Sequence, residues 1–293
     1  MDVEEVDPVS GRKTTGHEWN GIKELDTPVP RGVLMFLVAT HIFALLWWVL
    51  MPTWPIGTTY TRGVLGTDQW AMVDAQVARG QEARLEWTSR IATESFDEIM
   101  ADEDLMQFVR ASGWRLFGDN CAACHGTDGQ GRSNYPNLTD DDWLWGGGPD
   151  NIAETLRVGI NSPHDESRIG EMPAFGRDEM LDRQQVRDVA LYVHSLTSPE
   201  TSTPENVERL QAGRETFLST CAACHGEDAK GSQELGAPNL TDNYWVYGGD
   251  IQTLITTIHG GRRGHMPTWD ERLSAEEIKI LALYVNDLGV ENP

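Results

Sequence analysis

The pentapeptide Cys121-Ala122-Ala123-Cys124-His125 recurs as Cys221-Ala222-Ala223-Cys224-His225. Two thiols spaced by two residues reach the two vinyl groups of a haem, and the imidazole that follows ligates its iron, so this is the spacing of covalent c-type haem attachment. A zinc site asks for two Cys pairs close in sequence, whereas 96 residues separate Cys124 from Cys221. A thioredoxin-like redox pair does not require a His after each second Cys. The chain has four Cys and the two motifs consume all of them, leaving none for a disulfide or a reactive thiol. Cys121, Cys124, Cys221 and Cys224 are therefore expected to carry two haems c, with His125 and His225 on the irons. Because c-type haem is attached outside the cytoplasm, both motifs are expected there.

The elements that must position these groups form an internal duplication. Residues 113–196 align with 213–288 through one order of signals: C-A-A-C-H-G, P-N-L-T-D, a Trp followed by paired Gly, M-P, and a closing helix containing A-L-Y-V. Pro136-Asn137-Leu138-Thr139-Asp140 returns as Pro238-Asn239-Leu240-Thr241-Asp242. The closing helices place Val186, Val189, Ala190 and Val193, and Ile278, Leu281, Ala282 and Val285, at helical spacing. Asp182 with Gln185 and Ser274 with Glu277 have capping-box spacing at their starts. Each repeat thus reads as a small helical domain: a helix ends just before C-x-x-C-H, loops wrap the porphyrin, and the closing helix packs back across the first. Haem supplies apolar volume that so short a segment lacks. The polar TSPETSTP run at 197–204 reads as a linker between the repeats.

A sixth iron ligand is expected from each M-P dipeptide. Met172 lies 47 residues after His125, and Met266 lies 41 after His225, each just before a closing helix. A thioether opposite an imidazole gives a six-coordinate haem of relatively high potential, suited to electron transfer and without a position for substrate. Core packing is the competing reading of a methionine, and His164, Met180, His259 and His265 lie close enough in sequence to be alternative ligands. Trp143, Trp145, Trp245 and Tyr247 suit either a haem edge, with a polar tip toward a propionate, or ordinary packing.

Outside the repeats, Gly32 to Met51 is a run of twenty residues without formal charge, the length of a membrane-spanning helix. Trp47, Trp48 and Trp54 crowd one end, Pro52 and Pro55 stop it, and some thirty polar residues precede it, which argues against a cleaved signal peptide. Arg12, Lys13, Lys23 and Arg31 precede the span and only Arg62 lies in the twenty residues after it, which places the N-terminus in the cytoplasm. His41 sits inside the span, where an uncharged imidazole facing a neighbouring helix is the reading preferred to a proton-path role. Gln69 to Met100 lacks proline and reads as helical, a spacer that lies on a partner.

The formal net charge is −23; four basic and seven acidic residues precede position 32, leaving 19 basic against 39 acidic beyond it. That field speeds encounter with a basic partner such as a soluble cytochrome c and opposes nucleic-acid binding. Solubility accounts for the charge equally well.

The tail, the single anchor and the paired elements PNLTDDDWLWGG and PNLTDNYWVYGG resemble the dihaem P subunit of the cbb3-type cytochrome c oxidases, from about residue 27 onward. The resemblance implies a mainly α fold, one N-terminal transmembrane helix followed by two tandem class I cytochrome c domains. The segments are then a cytoplasmic tail (1–31), the anchor (32–54), a helical spacer (55–104), a first cytochrome domain (105–198), a linker (199–205) and a second cytochrome domain (206–293). It further implies that His125 and Met172 ligate one haem and His225 and Met266 the other. The chain would be a single-pass protein of the bacterial inner membrane with periplasmic haems. It would pass electrons from a cytochrome c or a bc1 complex toward the oxidase core and a monohaem cytochrome c subunit, and would not be catalytic alone. The alternatives are the cytochrome subunit of a membrane dehydrogenase, a dihaem peroxidase, or an assembly or redox-sensing subunit.

Overall fold

The computed structural model describes residues 5–290 and divides into two units, one up to Ala83 and one from Arg84. The first unit opens with an antiparallel hairpin, β1 (Thr14–Trp19) and β2 (Ile22–Leu25), in which Trp19 pairs with Ile22 and Glu18 with Lys23. Its two turn residues are Asn20 (φ 50°) and Gly21 (φ 85°), the left-handed pair that a two-residue turn between twisted strands requires. The helix α1 (Arg31–Leu50) starts after Pro30 and ends at extended Met51 beside Pro52. It is apolar on every side with no buried residue, and its 20 residues make it long and apolar enough to cross a membrane. His41 directs Nδ1 to the Leu37 carbonyl at 2.8 Å, so its own helix satisfies that nitrogen. A short hairpin follows, β3 (Pro55–Ile56) with β4 (Thr59–Tyr60), and then α2 (Gln69–Thr93).

In the second unit the helices are α3 (Phe96–Met100), α4 (Glu103–Asn120), α5 (Ala122–His125), α6 (Pro149–Val158), α7 (Arg183–Thr197), α8 (Val207–Thr216), α9 (Ala222–His225), α10 (Ile251–Gly260) and α11 (Ala275–Val290). A π-helical turn, Phe217–Cys221, joins α8 to α9. Both sequence-marked capping boxes form: Asp182 with Gln185 starts α7, and Ser274 with Glu277 starts α11.

The closing helices do not pack where the repeat order puts them. The helix α11 lies on α4 and α6 of the first repeat, and α7 lies on α8 and α10 of the second. Two hydrophobic cores result. The first joins Val109, Phe117, Cys121, Ile152 and Leu156 to Leu273, Ile278, Leu281 and Tyr284; the second joins Val186, Val189 and Val193 to Phe217, Leu240, Leu254 and Ile258. The helix crossings are matched. A Cβ on Gly113 of α4 would stand 2.5 Å from the Tyr284 Cβ, and one on Gly213 of α8 would stand 2.1 Å from the Asp188 carbonyl oxygen of α7. Tyr284 then meets Phe117 with centroids 5.8 Å apart, and Tyr192 meets Phe217 at 5.4 Å. A two-point ion pair from Arg110 to Asp287, at 2.8 and 3.2 Å, locks α4 to α11.

The packing departs from two sequence expectations. The hydrophobic cores do not coincide with the spans 105–198 and 206–293: the chain leaves the first core after α6, builds the second from α7 to α10, and returns to close the first with α11. The stretch 199–205 is therefore no inter-domain linker. It connects α7 to α8 inside one core through two short 3₁₀ turns, pinned by buried Thr201, whose hydroxyl meets His194 Nδ1 at 2.7 Å. Nor is 55–104 only a spacer, because Ile91 and Ile99 are wholly buried in the first core and Trp87 stacks on Phe108 at 5.9 Å.

The crossing geometry predicts that Gly213→Ala costs about 1–3 kcal/mol, because the new methyl meets backbone rather than a flexible side-chain end. Thermal unfolding should then fall by several degrees, whereas Gly118→Ala, with open space around its Cβ, should leave it unchanged or slightly raised.

Candidate metal centres

Each C-x-x-C-H motif folds as one tight helical turn ended by a left-handed Gly: Gly126 (φ 80°) after α5 and Gly226 (φ 77°) after α9. His125 Nδ1 lies 3.1 Å from the Pro136 carbonyl, and His225 Nδ1 lies 3.1 Å from the Pro238 carbonyl. A carbonyl only accepts, so Nδ1 carries the proton in both and Nε2 keeps its lone pair for a metal. Burial pushes both imidazoles below their ordinary range, against the pull of that hydrogen bond, which favours the neutral, ligating form.

The recurrent P-N-L-T-D element is explained residue by residue. Proline supplies the carbonyl that fixes the His tautomer. The Asn137 side-chain oxygen accepts from the N–H and hydroxyl of Thr139, both at 2.9 Å, and Asn239 does the same for Thr241 at 2.9 and 2.7 Å. Leu138 and Leu240 point into the first and second core respectively. The following Trp143 and Trp245 rings lie so close over Gly147 and Gly249 that a Cβ would come within 2.4 and 2.6 Å, which is why paired Gly follows each Trp.

Met266 packs against the core that contains Cys121, and Met172 against the core that contains Cys221. The resemblance pairs His125 with Met172 and His225 with Met266, whereas in the fold each methionine packs on the core that carries the other repeat's Cys pair. The physical reason lies in two backbone bridges. Gly159 (φ 69°) ends α6 and lets Ile160 exchange hydrogen bonds with Met266, both at 2.9 Å; Gly261 (φ 70°) ends α10 and lets Arg262 exchange them with Met172, at 2.8 and 3.0 Å. A Cβ on either glycine would stand 2.5 Å from the carbonyl oxygen of the opposing Met.

The alternative ligands fare worse. His164 has both ring nitrogens engaged, Nδ1 accepting from the Glu166 N–H at 3.0 Å and Nε2 lying 3.2 Å from Asp270. His259, His265 and Met180 are exposed.

The residues fit haem c. All four cysteines are free thiols, and burial pushes Cys121 and Cys221 up to about 11, so both sit as neutral thiols in apolar surroundings. In the first core two donors, Arg168 Nε and Trp269 Nε1, are buried without an acceptor. A buried donor is costly unless something accepts from it, and the carboxylates of a haem are such acceptors.

Comparison with known proteins agrees along the whole chain. Residues 11–58 match the N-terminal domain of cytochrome oxidase-cbb3, FixP; residues 111–197 match cytochrome c; and residues 208–285 match cytochrome c oxidase, cbb3-type, subunit III. The chain is 45% identical to the cbb3-type cytochrome c oxidase subunit FixP of Bradyrhizobium sp. (strain ORS 278), over 98% of both proteins. It belongs to the FixP/CcoP family of cbb3-type cytochrome c oxidase subunits. The CcoP subunit of Azospirillum brasilense is 42% identical over 99% of each chain, and the FixP of Rhizobium meliloti is 42% identical over 97% of this chain and 96% of its own. As a FixP/CcoP chain it carries two covalently bound haems c.

In this FixP/CcoP chain the two P-N-L-T-D loops face each other. The Asn137 N–H donates to the Tyr244 hydroxyl, Gln233 donates to the Trp143 carbonyl at 3.2 Å, and Trp145 lies on the backbone of Gly236. Burial, then the nearby Asp142 and a further carboxylate of the same loop, push Asp140 and Asp242 above the ordinary carboxylate range. The folded chain therefore binds protons there more tightly than the unfolded chain. The resulting penalty is absent below the ordinary carboxylate pKa, about 3.9, grows as pH rises through the raised values, and is full at neutral pH. Asp242→Asn should raise the melting temperature by about 2 °C at neutral pH, a gain that vanishes on acidification to about pH 4. A gain independent of pH would contradict the assignment.

Proposed function

We propose that this chain is the electron-relay subunit of a cbb3-type oxidase, held by α1 in the bacterial inner membrane with its N-terminus in the cytoplasm and both haem cores in the periplasm. The observation that carries the reading is that each packed core holds one C-x-x-C-H motif, whose histidine keeps its proton on Nδ1, together with one M-P methionine. His125 and Met266 hold the haem on Cys121 and Cys124; His225 and Met172 hold the haem on Cys221 and Cys224. When bound, such haems supply two one-electron centres of relatively high potential. The thioether in each core fills the position a substrate would need, so these residues serve a relay rather than a peroxidase. Pro136 and Pro238 keep each imidazole proton on Nδ1, and α4 with α11 and α8 with α7 keep water from one side of each site.

The donor is a cytochrome c or a bc1 complex, and the electrons leave toward the oxidase core and its monohaem subunit. The excess of carboxylates beyond residue 32 supports a basic donor, whose approach such a field accelerates in a salt-dependent way. The basic residues before α1, against a single Arg62 soon after it, support the orientation.

Membranes solubilised in mild detergent should yield the chain together with haem b, copper and azide- or cyanide-sensitive oxidation of reduced cytochrome c. A clean dihaem protein without haem b or copper, from membranes that retain the oxidase, would sink the reading. Met172→Leu and Met266→Leu should each remove about half of the near-infrared sulfur-to-iron band and open one haem to exogenous ligands; a band unchanged by both would refute the ligand assignment.

A further inference from the structure

The two chain crossings each bring one arginine to the same kind of place. Arg262 follows Gly261, pairs through its backbone with Met172, and lays its guanidinium 4.3 Å from the ring centroid of Tyr247. It also donates through Nε and Nη2 to the Thr257 hydroxyl at 2.9 and 2.7 Å. The equivalent position in the first core, after Gly159, is Ile160, yet an arginine arrives there from the neighbouring segment. Arg168 donates its backbone N–H to the Gly159 carbonyl at 3.1 Å and accepts from the Asn161 N–H at 2.8 Å, and its guanidinium lies 5.0 Å from the centroid of Trp145. Trp145 and Tyr247 are the same position of the two repeats. Inequivalent sequence positions thus deliver a guanidinium to an equivalent site, beside the methionine strand and over the aromatic ring.

Arg168 is the more telling of the two. Its Nε is buried without an acceptor, while Nη2 donates to the Asn151 carbonyl at 3.3 Å. The neighbouring carboxylate of Glu154 is held by Arg157 at 2.9 and 2.8 Å. An aromatic face attracts a cation but offers no acceptor in the guanidinium plane. A buried guanidinium N–H left this way is unfavourable, and a planar two-oxygen anion is what the fork of Nε and a neighbouring nitrogen receives.

We propose that Arg168 and Arg262 each bind a propionate carboxylate of one haem, Arg168 in the core of Cys121 and Cys124 and Arg262 in the core of Cys221 and Cys224, and thereby raise that haem's potential. This deepens the two-haem reading and rests on it. A fixed positive charge near the iron disfavours the oxidised form, and a paired propionate stays ionised, so the potential is high and flat with pH. Each haem is then covalently tied to one stretch of chain and gripped by a methionine and an arginine from the crossings.

The test is redox potentiometry of the whole detergent-solubilised protein from about pH 5 to about pH 9, a range in which a carboxyl group released from a cation titrates. Arg168→Met and Arg262→Met should retain two haems c by pyridine haemochrome. Each should lower one midpoint, and not the same one, by at least a tenfold change in the reduced-to-oxidised ratio, about 59 mV for one electron. The lowered midpoint should climb again as the pH falls, where the parent protein is flat, and Arg→Lys should recover most of the loss. Both haems present with unchanged midpoints and pH profiles, or both variants moving the same haem, would overturn the proposal while leaving the two-haem reading intact. Should a Met variant fail to assemble, infrared redox-difference spectra of the parent protein with carboxyl-labelled haem decide instead: ionised carboxylate signals at about pH 5 support the pairing, and a protonated-carboxyl band there overturns it. A parent protein that lacks haem c would strike the underlying reading itself.

Discussion

Two short backbone bridges, Ile160 with Met266 and Met172 with Arg262, are what the architecture depends on. Each is a single exchange of hydrogen bonds next to a left-handed glycine, and each opposing methionine carbonyl fills the space a side chain on that glycine would need. Together they turn two sequence repeats into two cores that share their parts reciprocally. The thiols and imidazole of a core come from one repeat, and its thioether and closing helix come from the other.

That exchange binds the stability of the cores together. Neither repeat contains a complete hydrophobic core, because α4 buries Val109 and Phe117 against Leu281 and Tyr284, and α8 must meet α7 to cover Phe217. The first core in particular is closed by contacts far apart in sequence, such as Arg110 with Asp287 and Thr268 with the Arg157 carbonyl. The two haem-bearing loops meet at Tyr244, Gln233 and Trp145. An electron-relay subunit benefits from such a frame, since it holds two redox centres in one cooperative body rather than on two independent beads.

Much of this was readable from residue types and spacing. The two haem motifs, the anchor from Gly32 onward, the duplicated P-N-L-T-D and M-P signals and both capping boxes follow from local chemistry, which acts over a few residues and leaves a local trace. The Asn20-Gly21 turn is equally legible, since Asn-Gly between alternating residues is a strong hairpin signal. The role of Trp87, Ile91 and Ile99 in the first core leaves no clear sequence signal, because their spacing is too sparse to make a stripe. The exchange itself left no local mark. The repeats are so alike that α11 suits α4 as well as α8, and Met266 suits either histidine; the decision rests on where the chain can travel after Gly159 and Gly261, which is a property of three-dimensional connection.

The most direct test of the exchanged cores removes one haem and asks which methionine the other still needs. In a Cys121→Ser, Cys124→Ser background, where the remaining haem sits on Cys221 and Cys224, near-infrared magnetic circular dichroism reports its axial ligands. The account predicts that Met172→Leu abolishes the remaining histidine–methionine signature and that Met266→Leu leaves it in place. The reverse outcome, with the signature lost on Met266→Leu and kept on Met172→Leu, would contradict it.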